Sequence, residues 1–317
     1  MASTTTALEA PVARRQSQGL WRDAFGRLIK NRLAIVGGLL VLLLAFIAIA
    51  GPFISGTWLH DFRDQNVALT AQYGGRPVPP LSEPGYILGT DKLGRDLLAR
   101  IFDGAQISMT VALVVQAVVL LIGIPVGAIA GWFGGRIDNY LMRFTDVVYA
   151  FPDLLFIIIL TMAFKETWFG RAMDGLLLVF VAIGIVSWIT MARLVRGQLL
   201  SLKETEFVEA ARAIGVPDRR IVTRHLLPNA VGPVIVAVTL GIPGAILAEA
   251  TLAFIGIGAQ APRASWGSLI DDGRDFIRGD PHLVLYPALA VAIALLSFTF
   301  LGDGLRDALD PKLKGKQ

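Results

Sequence analysis

Cysteine is absent from the 317-residue chain, and histidine occurs only three times. Without cysteine there is no disulfide framework, thiolate metal site or cysteine nucleophile. His60, His225 and His282 lie far apart in the sequence, and no Ser/His/Asp arrangement is recognisable. The chain also lacks the G-x-x-x-x-G-K-[ST] pattern that cradles nucleotide phosphates. We therefore expect no catalytic, cofactor-binding or metal-binding residues, and any ATP that drives this protein must bind to another chain.

Charged residues are scarce. They make up 17% of the chain, whereas hydrophobic residues make up 54% and the mean hydropathy is +0.62. A soluble domain carries about a quarter charged residues, so the composition predicts a protein of the lipid bilayer. The formal net charge of +4 is too small and too dispersed to indicate binding to nucleic acid.

Six apolar stretches come close to the ~20 residues that a helix needs to cross a bilayer. They lie at 33–54, 107–132, 144–164, 174–195, 230–257 and 283–302. The sequence therefore predicts an all-α polytopic membrane protein with six transmembrane helices. The second stretch contains Gly123, Gly127 and Gly131, a repeated small-xxx-small spacing that favours close contact between helices.

The distribution of Lys and Arg predicts the orientation, because cytoplasmic segments carry an excess of them. With the N-terminus inside, the inner segments hold 19 of the 29 Lys and Arg residues and the outer segments hold 10. We therefore expect both termini in the cytoplasm. Residues 1–18 have the composition of a disordered tail. Trp21, Phe25, Leu28 and Ile29 share one helical face, which is typical of an interfacial helix before the first span.

A polar island, Ser201–Asn229, separates the fourth and fifth apolar stretches. Ser201 and Glu204 have capping-box spacing, which predicts the start of a short helix. Gly215 is placed to end that helix in a left-handed conformation. Pro217 suits the first turn of a second short helix, and Pro228 is expected to end it.

The first of these short helices has one narrow apolar stripe, formed by Phe207, Ala210, Ala211 and Ile214 at helical spacing. Glu206, Glu209 and Arg212 are expected to point elsewhere. Such a stripe suits a shallow groove on another protein. The alternative interpretation is a solvated loop with some helical content.

The same residues also carry a resemblance. Glu209-Ala210-Ala211, Gly215 and Leu227-Pro228 are spaced as in the EAA–G–L-P loop of ABC importer permeases. His225 stands where the general pattern has Ile, and a His at this position is similar to the peptide-importer branch.

Four further segments resemble that family in the same order along the chain. The matching patterns are LGTD-x-LGRD-x-LSR at Leu88–Arg100, D-x-x-x-AFP at Asp146–Pro152, the E-x-x-LSFLGLG…SWG region from Glu249 to Gly267, and GD-x-LRD-x-LDP at Gly302–Pro311. Ala99 replaces the usual Ser, and Gln106 replaces an Arg that often follows; we interpret both changes as peripheral. The chain is identified as a member of the dipeptide/oligopeptide/nickel branch and resembles its C-type permease.

The resemblance implies an ABC type I importer permease fold with both termini cytoplasmic. In that family a coupling helix docks in a cleft of the ATPase subunit. It implies docking by Glu206, Phe207, Glu209, Ala210, Ala211, Arg212, Ile214 and Gly215. The implied layout is a cytoplasmic tail and interfacial helix (1–32), a first transmembrane helix (33–54), an extracytoplasmic segment (55–106), a five-helix permease core (107–302) with a cytoplasmic coupling loop at 196–229, and a cytoplasmic tail (303–317).

The resemblance also implies the partners and the location. These partners are a second homologous permease subunit, two ATP-binding cassette subunits that use ATP and Mg²⁺, and an extracytoplasmic solute-binding protein. The implied activity is import of di- or oligopeptides by alternating access across a bacterial or archaeal plasma membrane. Nickel and glutathione are the alternative cargoes. A rival from another class is a stand-alone secondary transporter, which the absence of an internal 3+3 repeat disfavours.

Three acids lie within or beside the apolar stretches, where a charge is costly and usually faces a cavity or a partner. Asp146 pairs with Arg143, is exposed, or has a functional role; the sequence leaves these options open. Asp153 and Glu249 are the candidate pathway or gate residues. Asp153 lies at a position where the family usually lacks an acid and could attract a cationic group. Glu249 fits the family pattern, and we expect it to form structural hydrogen bonds near the outer gate.

Overall fold

The computed structural model describes residues 20–259 and 261–310, and these residues fold into helices and connecting loops. No strand occurs within them; the one β-type contact is an isolated bridge between Thr90 and Asp96. The predicted all-α class is confirmed. The α-helices are α1 (Leu20–Leu28), α2 (Arg32–Ile54), α3 (Val67–Gln72), α4 (Leu97–Phe133), α5 (Gly135–Tyr149), α6 (Asp153–Phe164), α7 (Leu176–Leu202), α8 (Glu206–Ala213), α9 (Asp218–Ile221), α10 (Leu227–Phe254), α11 (Trp266–Gly273) and α12 (His282–Leu309).

Five helical units in the described part of the chain are long and apolar enough to cross a membrane. They are α2, α4, α7, the continuous α9–α10 unit and α12. A sixth crossing exists only if α5 and α6 together form one bent span. The long apolar helices predicted from five of the six stretches are therefore confirmed, while the count of six crossings and their orientation stay predictions.

The third predicted span, 144–164, is not a single helix. Its residues are divided between α5 and α6, which meet at 84° across a short break. Pro152 lies in this break with extended backbone, φ −61° and ψ 117°. A proline has no N–H to continue a helix, and it pushes the preceding residue, here Phe151, out of the helical region. The proline therefore breaks the span where the sequence analysis expected continuity.

α4 begins ten residues before the predicted second span. The Asp96 side chain starts it by accepting hydrogen bonds from the backbone N–H groups of Leu98 (2.9 Å) and Ala99 (3.3 Å). Residues 97–106, assigned by the sequence analysis to the extracytoplasmic segment, are therefore the first turns of a 37-residue helix.

The contact between α4 and α7 forms the centre of the bundle. A Cβ atom at Gly123 would lie 2.7 Å from Met191 Cβ, and one at Gly131 would lie 2.9 Å from Leu199 Cβ. At Gly127 it would overlap the backbone carbonyl of Ala192. The predicted glycine ridge is therefore confirmed, because only residues without a side chain allow this approach.

The two ends of the described chain lie together. Arg27 on α1 donates a hydrogen bond to the Asp310 carbonyl oxygen after α12, at 3.1 Å. A Cβ at Gly232, near the start of α10, would lie 3.9 Å from Leu309. α10 therefore begins at the same end of the bundle as α1 and the last turn of α12.

Both predicted tails fall partly outside the described residues: residues 1–19 and 311–317. The helix predicted before the first span is present as α1, while its position at the membrane interface stays a prediction. Phe25 on α1 and Ile29 just after it are 65% and 53% exposed, and an exposed apolar face is typical of a helix at a membrane interface.

A cap closes the opposite end of the bundle. It consists of residues 55–96 and the region around α11, which are joined by ion pairs of Asp272 with Lys92 and with the buried Arg100. Asp91 Oδ2 lies 2.6 Å from both Arg95 Nε and Arg100 Nη1, while Asp272 lies 2.9 Å from Lys92 and 3.3 Å from Arg100. Burial alone would raise the pKa of Asp272, but the hydrogen bond from Lys92 and the charges of Arg100 and Lys92 hold that pKa below its ordinary value.

The glycine ridge gives the first prediction. Gly127→Ala should lower the free energy of unfolding of the detergent-solubilised chain by ~1–3 kcal/mol, because the added methyl group forces α4 and α7 apart. The matched control is Gly197→Ala on α7, where a Cβ would meet nothing within 4 Å. Thermal unfolding of both variants checks this, and equal midpoints would contradict the ridge as a stability determinant.

Candidate functional site

The polar island forms two short helices, as predicted, but the first starts later. α7 continues through Ser201 to Leu202, and α8 begins at Glu206. The predicted capping box of Ser201 and Glu204 is therefore wrong. Thr205 occupies the N-cap position, yet its hydroxyl donates to the Leu202 carbonyl oxygen at 2.6 Å. The physical reason is that α7, packed along α4, continues its own hydrogen bonds past Ser201.

The bend after α8 is the left-handed turn that the sequence predicted. Gly215 has φ +78°, a conformation that residues with side chains rarely adopt. Its N–H donates to the Arg212 carbonyl oxygen at 2.9 Å, and the next N–H, of Val216, donates to Ala211 at 3.0 Å. Pro217 follows and lies immediately before α9.

The second short helix does not end at Pro228, so that prediction is wrong. α9 passes through a π-helical turn, Val222–Leu226, directly into α10, and Pro228 lies in the first turn of α10. A proline within a continuous helix is tolerated where a local π-helical adjustment of the backbone accommodates the missing N–H, and the π-turn before Pro228 is such an adjustment. The Asn229 side chain donates to the His225 carbonyl oxygen at 2.6 Å. His225, the position that departs from the general family pattern, lies exposed in this π-turn.

One face of the loop is anchored in the main hydrophobic core. Val208, Ala211, Ile221 and Leu226 are buried and belong to the cluster that α4 and α7 form. Of the predicted stripe, only Ala211 points inward. The sequence analysis missed Val208, although its spacing of three from Ala211 was the signal that could have found it.

The other face of α8 is open. Glu206, Phe207, Glu209, Ala210, Arg212, Ile214 and Gly215 are exposed. Among them, Phe207 is 42% and Ile214 80% exposed. This exposed face of α8, defined by these seven residues, combines two carboxylates with two large apolar side chains. The structure thus brings together all predicted docking residues except Ala211, which is buried beneath them.

Two contacts tie the loop to the end of α4. The Arg212 guanidinium lies 4.7 Å from the centre of the Trp132 ring. The Lys203 ammonium donates to the Gly131 carbonyl oxygen at 3.4 Å. The loop is therefore held by α4 as well as by the two helices that it connects.

Ion pairs connect α7 to α5. The Arg196 guanidinium binds both carboxylate oxygens of Asp138, with Nη2 2.6 Å from Oδ2. Three residues earlier, Arg193 Nη2 lies 2.7 Å from Asp146 Oδ1, and its guanidinium lies over the Tyr149 ring. The bidentate geometry fixes orientation as well as distance, so α5 is fastened to α7.

The three acids in the apolar stretches have different surroundings. Asp146 pairs with Arg193, not with Arg143, because α7 packs beside α5 at this point. Asp153 is exposed at the first position of α6, next to the break. Glu249 is 1% exposed, with Ser265 beside its carboxyl group, and neither of its oxygens has a hydrogen bond within the described residues. Ser265 is close enough to influence the carboxyl group but is not in hydrogen-bond geometry with it, so the structural hydrogen bonds expected for Glu249 stay a prediction.

Comparisons with known proteins agree on one family. Residues 123–315 match the model of the binding-protein-dependent transport system inner membrane component, and residues 19–73 match the N-terminal TM domain of oligopeptide transport permease C. The chain is 41% identical over 297 residues to the oligopeptide transport system permease protein OppC of Escherichia coli K12, covering 94% of this chain and 93% of that protein. It is 40% identical over 307 residues to the dipeptide transport system permease protein DppC of Bacillus subtilis 168, covering 96% and 90%.

A solved structure supports the fold. A chain of the MetNI methionine ABC transporter, in an inward-facing conformation, superposes with a TM-score of 0.53 at 20% identity. The superposition covers 66% of this chain and 96% of that chain. The helical arrangement of an ABC type I permease is therefore present here.

The two ion pairs between α5 and α7 should differ in strength. Asp138→Asn should lower the free energy of unfolding by ~1.5–3 kcal/mol, because its side chain is only 15% exposed and a hydrogen-bonded charge is lost. Asp146→Asn should cost at most ~1 kcal/mol, because that carboxylate is 65% exposed. Thermal unfolding of Asp138→Asn and Asp146→Asn, with Arg196→Lys as a third variant, tests this order. A larger loss of stability for Asp146→Asn than for Asp138→Asn would contradict it.

Proposed function

Because the chain belongs to the family of binding-protein-dependent transport system inner membrane components, with the N-terminal domain of oligopeptide permease C, we propose that it is the transmembrane permease subunit of an ATP-driven peptide importer. It would move di- or oligopeptides across a bacterial or archaeal plasma membrane by alternating access. The named functions of the OppC and DppC relatives support peptides as the cargo.

The observation that carries this proposal is the construction of α8. Its inner side is anchored by Val208 and Ala211, while its outer face exposes Phe207 and Ile214 beside Glu206 and Glu209. Large apolar side chains on an exposed polar loop favour a protein partner. Since α8 connects α7 to the α9–α10 unit, a force applied to it passes directly into two membrane-crossing helices.

We propose that this exposed face docks in a cleft of an ATP-binding cassette subunit. Glu209 would anchor it near basic residues of the partner, the exposed Ala210 would allow close approach, and Gly215 would set the bend, whereas Ala211 faces the core instead of the partner. The chain itself would catalyse nothing and bind no cofactor, and two ATPase subunits would bind ATP and Mg²⁺. A second, homologous permease would complete the pathway, and an extracytoplasmic binding protein would deliver cargo.

Asp153 is the candidate pathway residue. α6 has 12 residues and is only about 18 Å long, against about 30 Å of hydrocarbon in a bilayer. If α5 and α6 form one bent span, the break beside Asp153 lies inside the hydrocarbon thickness. An exposed carboxylate at that depth must face protein or water. We therefore propose that Asp153 borders the pathway between the two permeases.

Docking is tested by charge reversal. Glu209→Arg should reduce ATP-driven uptake at least about 10-fold and release the ATPase subunits in a pull-down, while the second permease stays bound. Gly215→Val should act similarly, because a β-branched residue is strained at φ +78°. The control is Glu166→Arg, an exposed glutamate in the loop between α6 and α7 that pairs with Arg171 at the surface. Wild-type uptake and full ATPase retention by Glu209→Arg would overturn the docking role.

The rival classes have separate readouts in the same preparation. Uptake by the purified chain in liposomes without ATP, driven by an ion gradient, would identify a secondary transporter instead. If the assembled importer takes up labelled glutathione or labelled Ni²⁺ but no labelled di- or tripeptide, the cargo is one of those alternatives.

Orientation and pathway can be tested by single cysteines, since the chain contains none. With a membrane-impermeant thiol reagent, Trp58→Cys should label from outside and Ile214→Cys only from the cytoplasmic side. Asp153→Cys should label in the assembled importer, because its position borders water. Glu249→Cys should resist labelling, because α10 and α11 enclose the side chain. Cytoplasmic labelling at position 58 would overturn the orientation. Strong labelling at position 249 together with none at position 153 would make Glu249, and not Asp153, the residue that borders the pathway.

A further inference from the structure

A cavity of about 330 Å³ lies beside the cap, between α4, the start of α7 and the loop before α11. Its volume is within the range of small-molecule sites. Three buried side chains form its apolar wall: Ile107, Leu176 and Phe180. Gln106, Thr110, Met173 and Arg263 complete the lining. The cavity thus combines an apolar wall with three polar side chains.

The polar side chains offer hydrogen-bond donors that are not in use. The Arg263 guanidinium is held by the buried Asp103 carboxylate, with Nε 2.9 Å from Oδ1, and it donates from Nη2 to Gln106 Oε1 at 2.6 Å. Among residues 20–259 and 261–310, neither Arg263 Nη1 nor Gln106 Nε2 has an acceptor. Each of these nitrogens carries two N–H groups, so four donors remain for a ligand.

Thr110 supplies the complementary group. Its hydroxyl proton is donated to the Gln106 backbone carbonyl oxygen at 2.7 Å, which leaves the oxygen lone pairs free to accept. The lining therefore offers one acceptor, four donors and an apolar wall. A matching ligand carries a carboxylate, one N–H and an apolar side chain.

The backbone at the mouth of the cavity is strained. Met173 has φ +53°, which is uncommon for a residue with a side chain. Such strain persists only where the surrounding structure enforces it, and it clusters at ligand sites. This is a second observation, independent of the side-chain chemistry, that distinguishes this cavity from a packing defect.

We propose that this cavity binds the C-terminal residue of a peptide. The terminal carboxylate would be held by Arg263 and Gln106, the last amide N–H by Thr110, and an apolar side chain by Ile107, Leu176 and Phe180. The cargo identity rests on the proposed function. A site at this end of the bundle would retain a peptide as it leaves the binding protein, and it would favour apolar C-terminal residues.

The site is tested on the full-length chain in nanodiscs, without ATPase subunits or binding protein. N-acetyl-leucine, which carries all three features, should raise the midpoint of thermal unfolding. N-acetyl-leucine amide, which lacks the carboxylate, should bind at least about 10-fold more weakly. Octanoate is the third probe, because a fatty acid shares the carboxylate but lacks the N–H.

The decisive variant is Gln106→Glu. It keeps an acceptor for Arg263 and so preserves the fold, but it replaces the free amide donors with a negative charge that repels the ligand. It should abolish binding of N-acetyl-leucine, whereas the control Gln72→Glu, an exposed position on α3, should bind as wild type does. Thr110→Val should weaken N-acetyl-leucine several-fold and leave octanoate unchanged.

Equal binding by N-acetyl-leucine and its amide, or full binding by Gln106→Glu, would overturn the site. Octanoate binding as tightly as N-acetyl-leucine would assign the cavity to lipid-derived carboxylates and overturn the peptide proposal. These outcomes are independent of ATP-driven uptake. Loss of uptake in Glu209→Arg together with no binding of N-acetyl-leucine would therefore reject this site and leave the permease function in place.

Discussion

The backbone contact between α4 and α7 is the constraint on which the rest of the structure depends. In a bilayer, apolar side chains gain little by leaving lipid for protein, so close packing of backbones has to supply the attraction. Gly123, Gly127 and Gly131 allow this approach along just over two turns of α4. This contact fixes the position of α7, and α7 in turn positions Arg193 and Arg196 against α5.

The hydrophobic core at the α4–α7 contact continues into the loop that the proposed topology places in the cytoplasm. Val208, Ala211, Ile221 and Leu226 extend the core that α4 and α7 begin, and Arg212 lies over Trp132 at the end of α4. Protein interiors are close-packed and compress little. A displacement of α8 therefore moves its neighbours as a body, and the paired charges on α7 carry the movement to α5 and the break before α6.

Much of this arrangement could be predicted from the sequence, because local sequence preferences and tertiary packing favour the same structure at these positions. The glycine ridge and the left-handed Gly215 follow from the lack of a side chain, whatever the surroundings. The family assignment followed from five short patterns in order along the chain. The helices of the five long apolar stretches were predicted from length and hydropathy alone.

The wrong predictions concern positions whose structure is determined by packing against a segment distant in the sequence. Ser201 has the right spacing for a helix cap, but α7 is already held by α4 and continues past it. Pro228 is a helix breaker in isolation, yet the π-turn before it places it at a tolerated position. Gln106 was interpreted as a peripheral change, and only the fold brings it next to Arg263, 157 residues away in the sequence. No pattern within one sequence reports such a neighbour.

The shortness of α6 has a consequence for the surrounding lipid. Hydrophobic mismatch between a helix and the bilayer is relieved by tilting, by thinning of the membrane or by association with another protein. After the 84° bend, α6 has little length left with which to tilt. The lipid beside it must therefore thin unless a neighbouring subunit fills the gap. If α5 and α6 form one bent span, membrane thickness acts on the break itself, and acyl-chain composition enters the energetics of the proposed alternating access.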